Sequence, residues 1–446
     1  MSITVSSPSS PDRKIWAIAG PAIVANSSAP LVGLVDTWVI GHMPGAVHLA
    51  AIGVGATIFS FLFWAFGFLR MSTTGLIAQA YGNDDTDKIA RVSVRSIALG
   101  LLIAALLLSV QSPLLSGAMA ALNPPTTTIK IVQDYFYIRI WSAPAVLFIY
   151  AINGYLIGTA QAKLALYLQL ILNICNGVLN LTFVLGFGLG VQGIAYGSLI
   201  AEWVAALFGL LLLLRGVGYL PLRKAIATKT TWQYARLKKL LSTNGYIFLR
   251  TLILITALSL ITRQAAMLGE APLAASQVLS IFLLLISLGL DSFAYAAEAL
   301  AGAAYGRGNK DDFRFWVIRT TLWASTIATL YSLIFFVAGA SIINSLTDIH
   351  SVVFEANQAL IVVILLPICA VWSYQFDGIF IGATAGRGML LSMAAAFVVY
   401  LAMLFFWTDN MTLTKLWVSV LIFMVMRGLM QALYYPVLEK RLAAET

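Results

Sequence analysis

Eight ionisable side chains interrupt stretches of this sequence that are otherwise apolar: Asp36, Arg70, Arg139, Glu202, Asp291, Glu298, Asp377 and Arg427. In lipid, inserting such a group costs at least about 2.5–3.5 kcal/mol, so each one marks a function or a partner. Arg139 and Glu202 fall near the ends of their runs and are expected to snorkel to the interface. Asp36 stands apart. It sits in Pro30-Leu-Val-Gly-Leu-Val-Asp36-Thr-Trp-Val-Ile, with no basic residue nearby. Upstream, Pro21 and Pro30 each lack an amide donor and crowd the carbonyl four residues back, at Ala17 and Asn26. Asn26, Ser27 and Ser28 lie between the prolines and can satisfy freed backbone groups. A breakable helix carrying one acid reads as a proton switch, because a carboxyl group in such surroundings loads and releases a proton as its hydration changes. The plainer alternative is an acid that hydrogen-bonds a neighbouring helix for structure.

Further polar residues fall at helical spacing. Asn173, Asn176 and Asn180 share one helix face, and Ser198 lies in the next apolar run. Amides at lipid depth need partners, so a polar network around Asp36 is one reading. Packing glue between helices, worth about 0.6 kcal/mol per contact, is the other. In the second half, Asp291 and Glu298 lie seven residues apart on one face, with Tyr295 beside them. Asp377 sits in Trp372-Ser-Tyr374-Gln-Phe-Asp377-Gly378. Acids and aromatics lining a cleft suit organic cations through charge and cation–π contact. Alternatively, these acids pair with Arg70 and Arg427 and hold the fold together.

Other chemistries find no support. His42, His48 and His350 fall in connections, and no phosphate loop, HExxH or paired-cysteine metal motif occurs. This predicts no enzyme and no cofactor beyond a coupling ion. Cys175 and Cys369 lie within apolar runs and read as small buried hydrophobes. The net charge of +9 sits in the connections rather than in a basic stripe with interleaved aromatics, which argues against nucleic acid.

The elements that must position these residues are membrane helices. Hydrophobic residues make up 60% of the 446 and charged ones only 10%. A water-soluble exterior is incompatible with that balance, and a lipid bilayer is the solvent that fits. About twelve spans are expected, near residues 14–40, 49–80, 89–111, 131–158, 163–186 and 191–215, then 243–267, 272–303, 313–341, 353–383, 388–407 and 413–438. The polar N-terminus does not resemble a signal peptide, so the first apolar segment is expected to be a retained helix. Residues 216–242 are the most basic stretch and read as a connector between a first lobe, 1–215, and a second, 243–446. With the termini and connector on one side, Lys and Arg gather there, which assigns that side to the cytoplasm.

A repeat supports two lobes. Ala78-Gln-Ala-Tyr81-Gly82-Asn-Asp-Asp85 recurs as Ala303-Ala-Tyr305-Gly306-Arg-Gly-Asn-Lys-Asp311-Asp312. Gly154-Tyr-Leu-Ile157-Gly158-Thr recurs as Gly378-Ile-Phe-Ile381-Gly382-Ala. The offset is 224 for Tyr81/Tyr305, Gly154/Gly378 and Gly158/Gly382, and 223 for Pro144/Pro367. Six spans per lobe make the repeat parallel, an architecture of transporters that rock two halves around a central cleft.

Several stretches together resemble the DinF branch of the multidrug and toxic compound extrusion (MATE) family. They are Pro30-Leu-Val-Gly-Leu-Val-Asp36-Thr-Trp-Val-Ile-Gly-His42, Phe68-Leu-Arg70-Met-Ser-Thr-Thr-Gly75-Leu-Ile-Ala-Gln79-Ala-Tyr-Gly82, Leu290-Asp291-Ser-Phe-Ala-Tyr295-Ala-Ala-Glu298-Ala and Asp377-Gly-Ile-Phe-Ile-Gly-Ala-Thr384. The resemblance runs over nearly the whole chain. It implies two lobes of six helices and efflux of cationic or amphipathic drugs driven by inward H⁺ or Na⁺. It further implies Asp36 as the coupling acid, a first helix bent at Pro21, and a supporting network of Asn176, Asn180 and Ser198. Many relatives carry an acid where this chain has Asn180, which favours a single proton and weakens a dedicated Na⁺ site in that lobe. Asp377 matches an acid that some relatives use for Na⁺, but their acid in the seventh span has no counterpart in 251–262. The expectation is therefore a monomeric proton-coupled exporter of the bacterial inner membrane, with both termini cytoplasmic. Na⁺ coupling or flipping of a lipid-linked precursor are the alternatives.

Overall fold

A computed structural model describes residues 10–41 and 46–444, apart from the side chains at 29, 31, 32, 34–37, 39–41, 46, 239, 409, 443 and 444. The described residues are almost entirely helical and contain no strand. Lipid imposes this, since a helix satisfies its backbone donors and acceptors internally. The first helix is Pro11–Gly41. Five long helical segments follow in the first half: Val47–Gly82, Thr86–Ser109, Thr126–Gly158, Ala162–Gly186 and Gly190–Gly216. The second half contains Tyr234–Leu268, Glu270–Gly306, Lys310–Leu346, His350–Gly382, Gly386–Phe406 and Leu413–Leu442. Eleven of these among the described residues are long and apolar enough to cross a membrane, and the first helix is the twelfth long one. The protein is thus a multi-pass, all-α membrane protein. The seventh helix starts at Tyr234, inside the expected connector. Arg236 and Lys238 favour helix, so charge there ends the apolar run without ending the helix.

The two halves differ in continuity. The second segment breaks after Ala65 and resumes at Phe68, around Gly67. The fourth tightens to a 3₁₀ turn at Ile140–Ser142, just before Pro144. Their counterparts, Glu270–Gly306 and His350–Gly382, run unbroken, although the latter contains Pro367.

The repeat is visible in the turns. Asp84, Ala160, Gly308 and Thr384 all have positive φ, each two residues beyond the last glycine of a repeat motif. Asp85 N–H donates to the Ala80 carbonyl at 3.0 Å, Gln161 N–H to Leu156 at 2.7 Å, and Ala385 N–H to Phe380 at 2.8 Å. These are left-handed helix stops, in which the turn amides satisfy the last free carbonyls. After the Tyr-Gly motif the following helix is capped alike in both halves. Asp85 accepts from Lys88 N–H at 2.8 Å, and Asn309 from Asp312 N–H at 2.9 Å.

The repeated glycines explain the helix pairing. A Cβ at Gly154 would lie 2.7 Å from the Arg70 carbonyl, and one at Gly158 would lie 2.8 Å from the Thr74 carbonyl. In the second half, a Cβ at Gly382 would lie 2.8 Å from the Glu298 carbonyl. In both halves a glycine pair four residues apart lets the helix that follows the repeat proline approach the motif-bearing helix backbone to backbone.

By packing, the chain divides into two compact units. One is Pro21–Leu240; the other joins Leu241–Thr446 to the residues up to Gly20. The division cuts the first helix at Pro21. In the unit Pro21–Leu240, the fourth segment packs on the second, third and sixth. In the other unit, the tenth helix packs on the eighth, ninth and twelfth.

Candidate functional site

In the unit Pro21–Leu240, the asparagines of the fifth span form a directed chain. Asn180 Nδ2 donates to Asn176 Oδ1 at 3.1 Å, and Asn176 Nδ2 donates to Ser198 Oγ at 2.8 Å. All three residues are buried. Gly197 makes room for this. A Cβ there would sit 3.1 Å from Asn180 N and closer still to its amide oxygen. One turn away, Gln169 Nε2 donates to Asn173 Oδ1 at 2.9 Å, and Asn173 Nδ2 donates to Ser28 Oγ at 2.7 Å. Ser28 Oγ in turn donates to the Ala25 carbonyl at 2.7 Å. The fifth span is therefore tied to the first helix and to the sixth span. Asp36 lies eight positions beyond Ser28, about 12 Å along the helix axis. Its side chain lies outside the described residues.

Arg139 and Glu202 do not snorkel. Glu202 is buried and accepts a short hydrogen bond from Arg139 Nη1, which also donates to Ser142 Oγ at 2.7 Å. The guanidinium lies 5.5 Å from the Phe59 ring and 5.9 Å from Phe63. The two run ends meet in the fold, so the pair neutralises itself internally and neither side chain has to reach water. Glu202 follows Ser198 by one turn, which extends the polar face of the sixth span.

In the other unit the centre is Asp377. Its carboxylate accepts from Arg250, from Arg427 Nη2 at 2.8 Å and from Gln431 Nε2 at 2.6 Å. The side chains of both arginines are 5% exposed and that of Asp377 is 14% exposed. Arg250, within the seventh helix, is thus a buried partner. The alternative in which arginine holds the acid describes Asp377. Asp291 is within electrostatic reach of Arg250 and of Tyr374. Tyr374 and Ser287 share a 2.5 Å hydroxyl contact. Glu298 is buried, whereas Asp291, Tyr295 and Arg70 are half-buried, and all four are engaged by neighbours. Gln431 and Gln169 were not anticipated. Each lies four residues from a singled-out residue, Arg427 or Asn173, and that i,i+4 spacing was the available signal.

The same unit holds the start of the first helix. Arg319 donates to Asp12 in bidentate fashion, Nε to Oδ1 at 2.9 Å and Nη2 to Oδ2 at 2.8 Å. Trp323 Nε1 adds a bond to Oδ1 at 2.8 Å. These donors hold the Asp12 carboxyl below its ordinary pKa, with Arg319 the larger influence. Trp16 meets Phe293 and Trp323 edge to face, each at 5.3 Å between centroids. The first helix is pinned on one side of Pro21 by these contacts and on the other by Ser28.

Fold and site together define a multi-pass membrane protein built as a two-fold repeat, with a buried polar cluster in each unit. The MatE family model matches residues 21–182 and again 247–407, once in each half. The chain belongs to the MatE family. It is 36% identical to the DNA damage-inducible protein F of Escherichia coli over 94% of this chain and 91% of that protein. It is 27% identical to Protein DETOXIFICATION 44, chloroplastic, of Arabidopsis thaliana over 93% of this chain and 80% of that one. A stretch covering 42% of this chain and 41% of that protein is 28% identical to a probable multidrug resistance protein NorM of Synechococcus. A crystal structure of a MATE protein in the bent conformation superposes with a TM-score of 0.87 at 19% identity, covering 98% of this chain and 97% of that one.

Proposed function

We propose that the protein is a secondary active exporter that exchanges cationic or amphipathic drugs for protons across the bacterial inner membrane, with both termini cytoplasmic. Family membership supports export, as does the multidrug-resistance name carried by the Synechococcus relative. The observation that carries the coupling reading is the directed chain Asn180–Asn176–Ser198, joined through the fifth span to Ser28 on the helix of Asp36. Asp36 is the proton site. Ionised, its carboxylate only accepts hydrogen bonds; protonated, it also donates. Amides and hydroxyls can adjust to either state, whereas a buried arginine would lock the acid ionised. Asp377 is instead paired with Arg250 and Arg427 and serves as a structural anchor in its unit.

Pro21 is the hinge. Its missing N–H leaves the Ala17 carbonyl without an intrahelical bond at the point where packing changes from one unit to the other. Proton uptake at Asp36 rearranges residues 21–41 against the Asn173–Ser28 tie, and the lobes alternate their access. Exchanging one proton for one monovalent cation moves no net charge. Each pH unit then supplies about 1.36 kcal/mol, roughly a tenfold drug gradient.

The test is efflux of a fluorescent cation from proteoliposomes with either a pH or a Na⁺ gradient imposed. Efflux is expected with the pH gradient and its loss in Asp36→Asn, with the variant still folded. Wild-type efflux in Asp36→Asn, or efflux driven by Na⁺ alone, would refute proton coupling at this residue.

A further inference from the structure

A crevice of about 270 Å³ lies between the ninth and tenth helices, within a single packing unit. Its rim is apolar and open: Ile318 is 60% exposed, Leu322 54% and Trp372 49%. Thr321 and Ser325 also line it. Lining it too is Gln375, which is only 1% exposed, yet neither its amide nitrogen nor its amide oxygen has a hydrogen-bond partner. A buried amide left without partners in an apolar wall marks the place of a missing polar group. Gln375 is two residues from Asp377, about 200° around the helix, so it faces away from the arginine cluster.

Depth identifies the missing group. The tenth helix has 33 residues, about 50 Å, against a hydrocarbon core of about 30 Å. Centred, it extends about 10 Å beyond each face of the core, and Gln375 lies seven residues, about 10 Å, from the Gly382 end. With the helix so centred, Gln375 falls at the boundary between acyl chains and headgroups, where lipid ester groups sit. Trp372 at the rim has the amphipathic ring that favours this level.

We propose that this crevice is a phospholipid site. An acyl chain lies along Ile318 and Leu322, and the Gln375 Nε2 donates to a glycerol-ester carbonyl. A headgroup ammonium or hydroxyl donates to Oε1.

The experiment is native mass spectrometry of the delipidated full-length protein titrated with palmitoyl-oleoyl phosphatidylethanolamine and with its diether analogue, which lacks ester carbonyls. Wild type should bind one diester lipid about tenfold more tightly than either Gln375→Leu or Ile318→Trp does, and should bind the diether analogue about tenfold more weakly. Gln375→Leu should not discriminate between the two lipids. Its unfolding midpoint should match or exceed wild type without lipid and fall below it with lipid. If Gln375→Leu does not fold, Ile318→Trp, which fills the mouth and leaves the amide intact, carries the test. Equal binding by wild type and both variants, or equal affinity for diester and diether lipids, overturns the proposal. So does Gln375-dependent binding of a fluorescent organic cation where neither lipid binds.

Discussion

Gly382→Ala isolates the energetic role of the repeated glycines. The added Cβ would lie 2.8 Å from the Glu298 carbonyl and 3.0 Å from the Gly302 Cα, where ordinary contact begins at 3.4 Å. Both obstacles are backbone, so no side chain can swing aside. The eighth and tenth helices must part by about half an ångström in a close-packed interior. Overpacking of this kind costs about 1–3 kcal/mol, while replacing a helical glycine by alanine returns about 0.5–1 kcal/mol. The net expectation is destabilisation of up to about 2.5 kcal/mol, centred near about 1 kcal/mol. Gly245→Ala and Gly53→Ala are the controls, because a Cβ at either position meets nothing within 4 Å. Only the helical gain remains there, so they should be neutral or stabilising. Gly158→Ala, facing the Thr74 carbonyl at 2.8 Å, should behave as Gly382→Ala does. Thermal unfolding in detergent, followed by tryptophan fluorescence, reads all four. A midpoint in Gly382→Ala that rises together with the controls would show that the close approach carries no energy.

Three further outcomes are expected. Glu202→Ala or Arg139→Ala should each destabilise by about 3–5 kcal/mol, because each leaves a buried charge unpaired, and replacing both by apolar residues should recover most of the loss in chemical denaturation. Asp377→Asn should lower the unfolding midpoint far more than Asp36→Asn, since it leaves Arg250 and Arg427 facing each other, and equal midpoints would remove Asp377 from its anchoring role. The Asp12–Arg319 contact has a defined pH dependence. Its carboxyl pKa is lowered by folding, so the stabilisation is fully present above the unfolded value of about 3.9 and disappears as pH falls through the folded value. Fluorescence of Trp16 and Trp323 during acid titration should change only below that range, and Asp12→Asn should abolish the transition.

Much of this protein was legible in its residues because lipid leaves few choices. Apolar runs of span length must be helices, and their number and approximate ends follow from composition. The 224-residue offset exposed the duplication, and the positive-φ turns at Asp84, Ala160, Gly308 and Thr384 sit where the repeated motifs end. The spacing of Asn173, Asn176 and Asn180 is that of one helix face, and the structure hydrogen-bonds Asn180 to Asn176. Partner choice was not legible. Glu202 and Arg139 are 63 positions apart, and Arg250 and Asp377 are 127 apart. Nothing local distinguishes a charge that reaches water from one that meets its opposite across a helix pair. That distinction depends on which helices touch, which only the tertiary packing decides. The division of the first helix at Pro21 likewise required the packed structure. A proline in the sequence announces a missing hydrogen bond, and only tertiary packing assigns the residues on either side of it to different units.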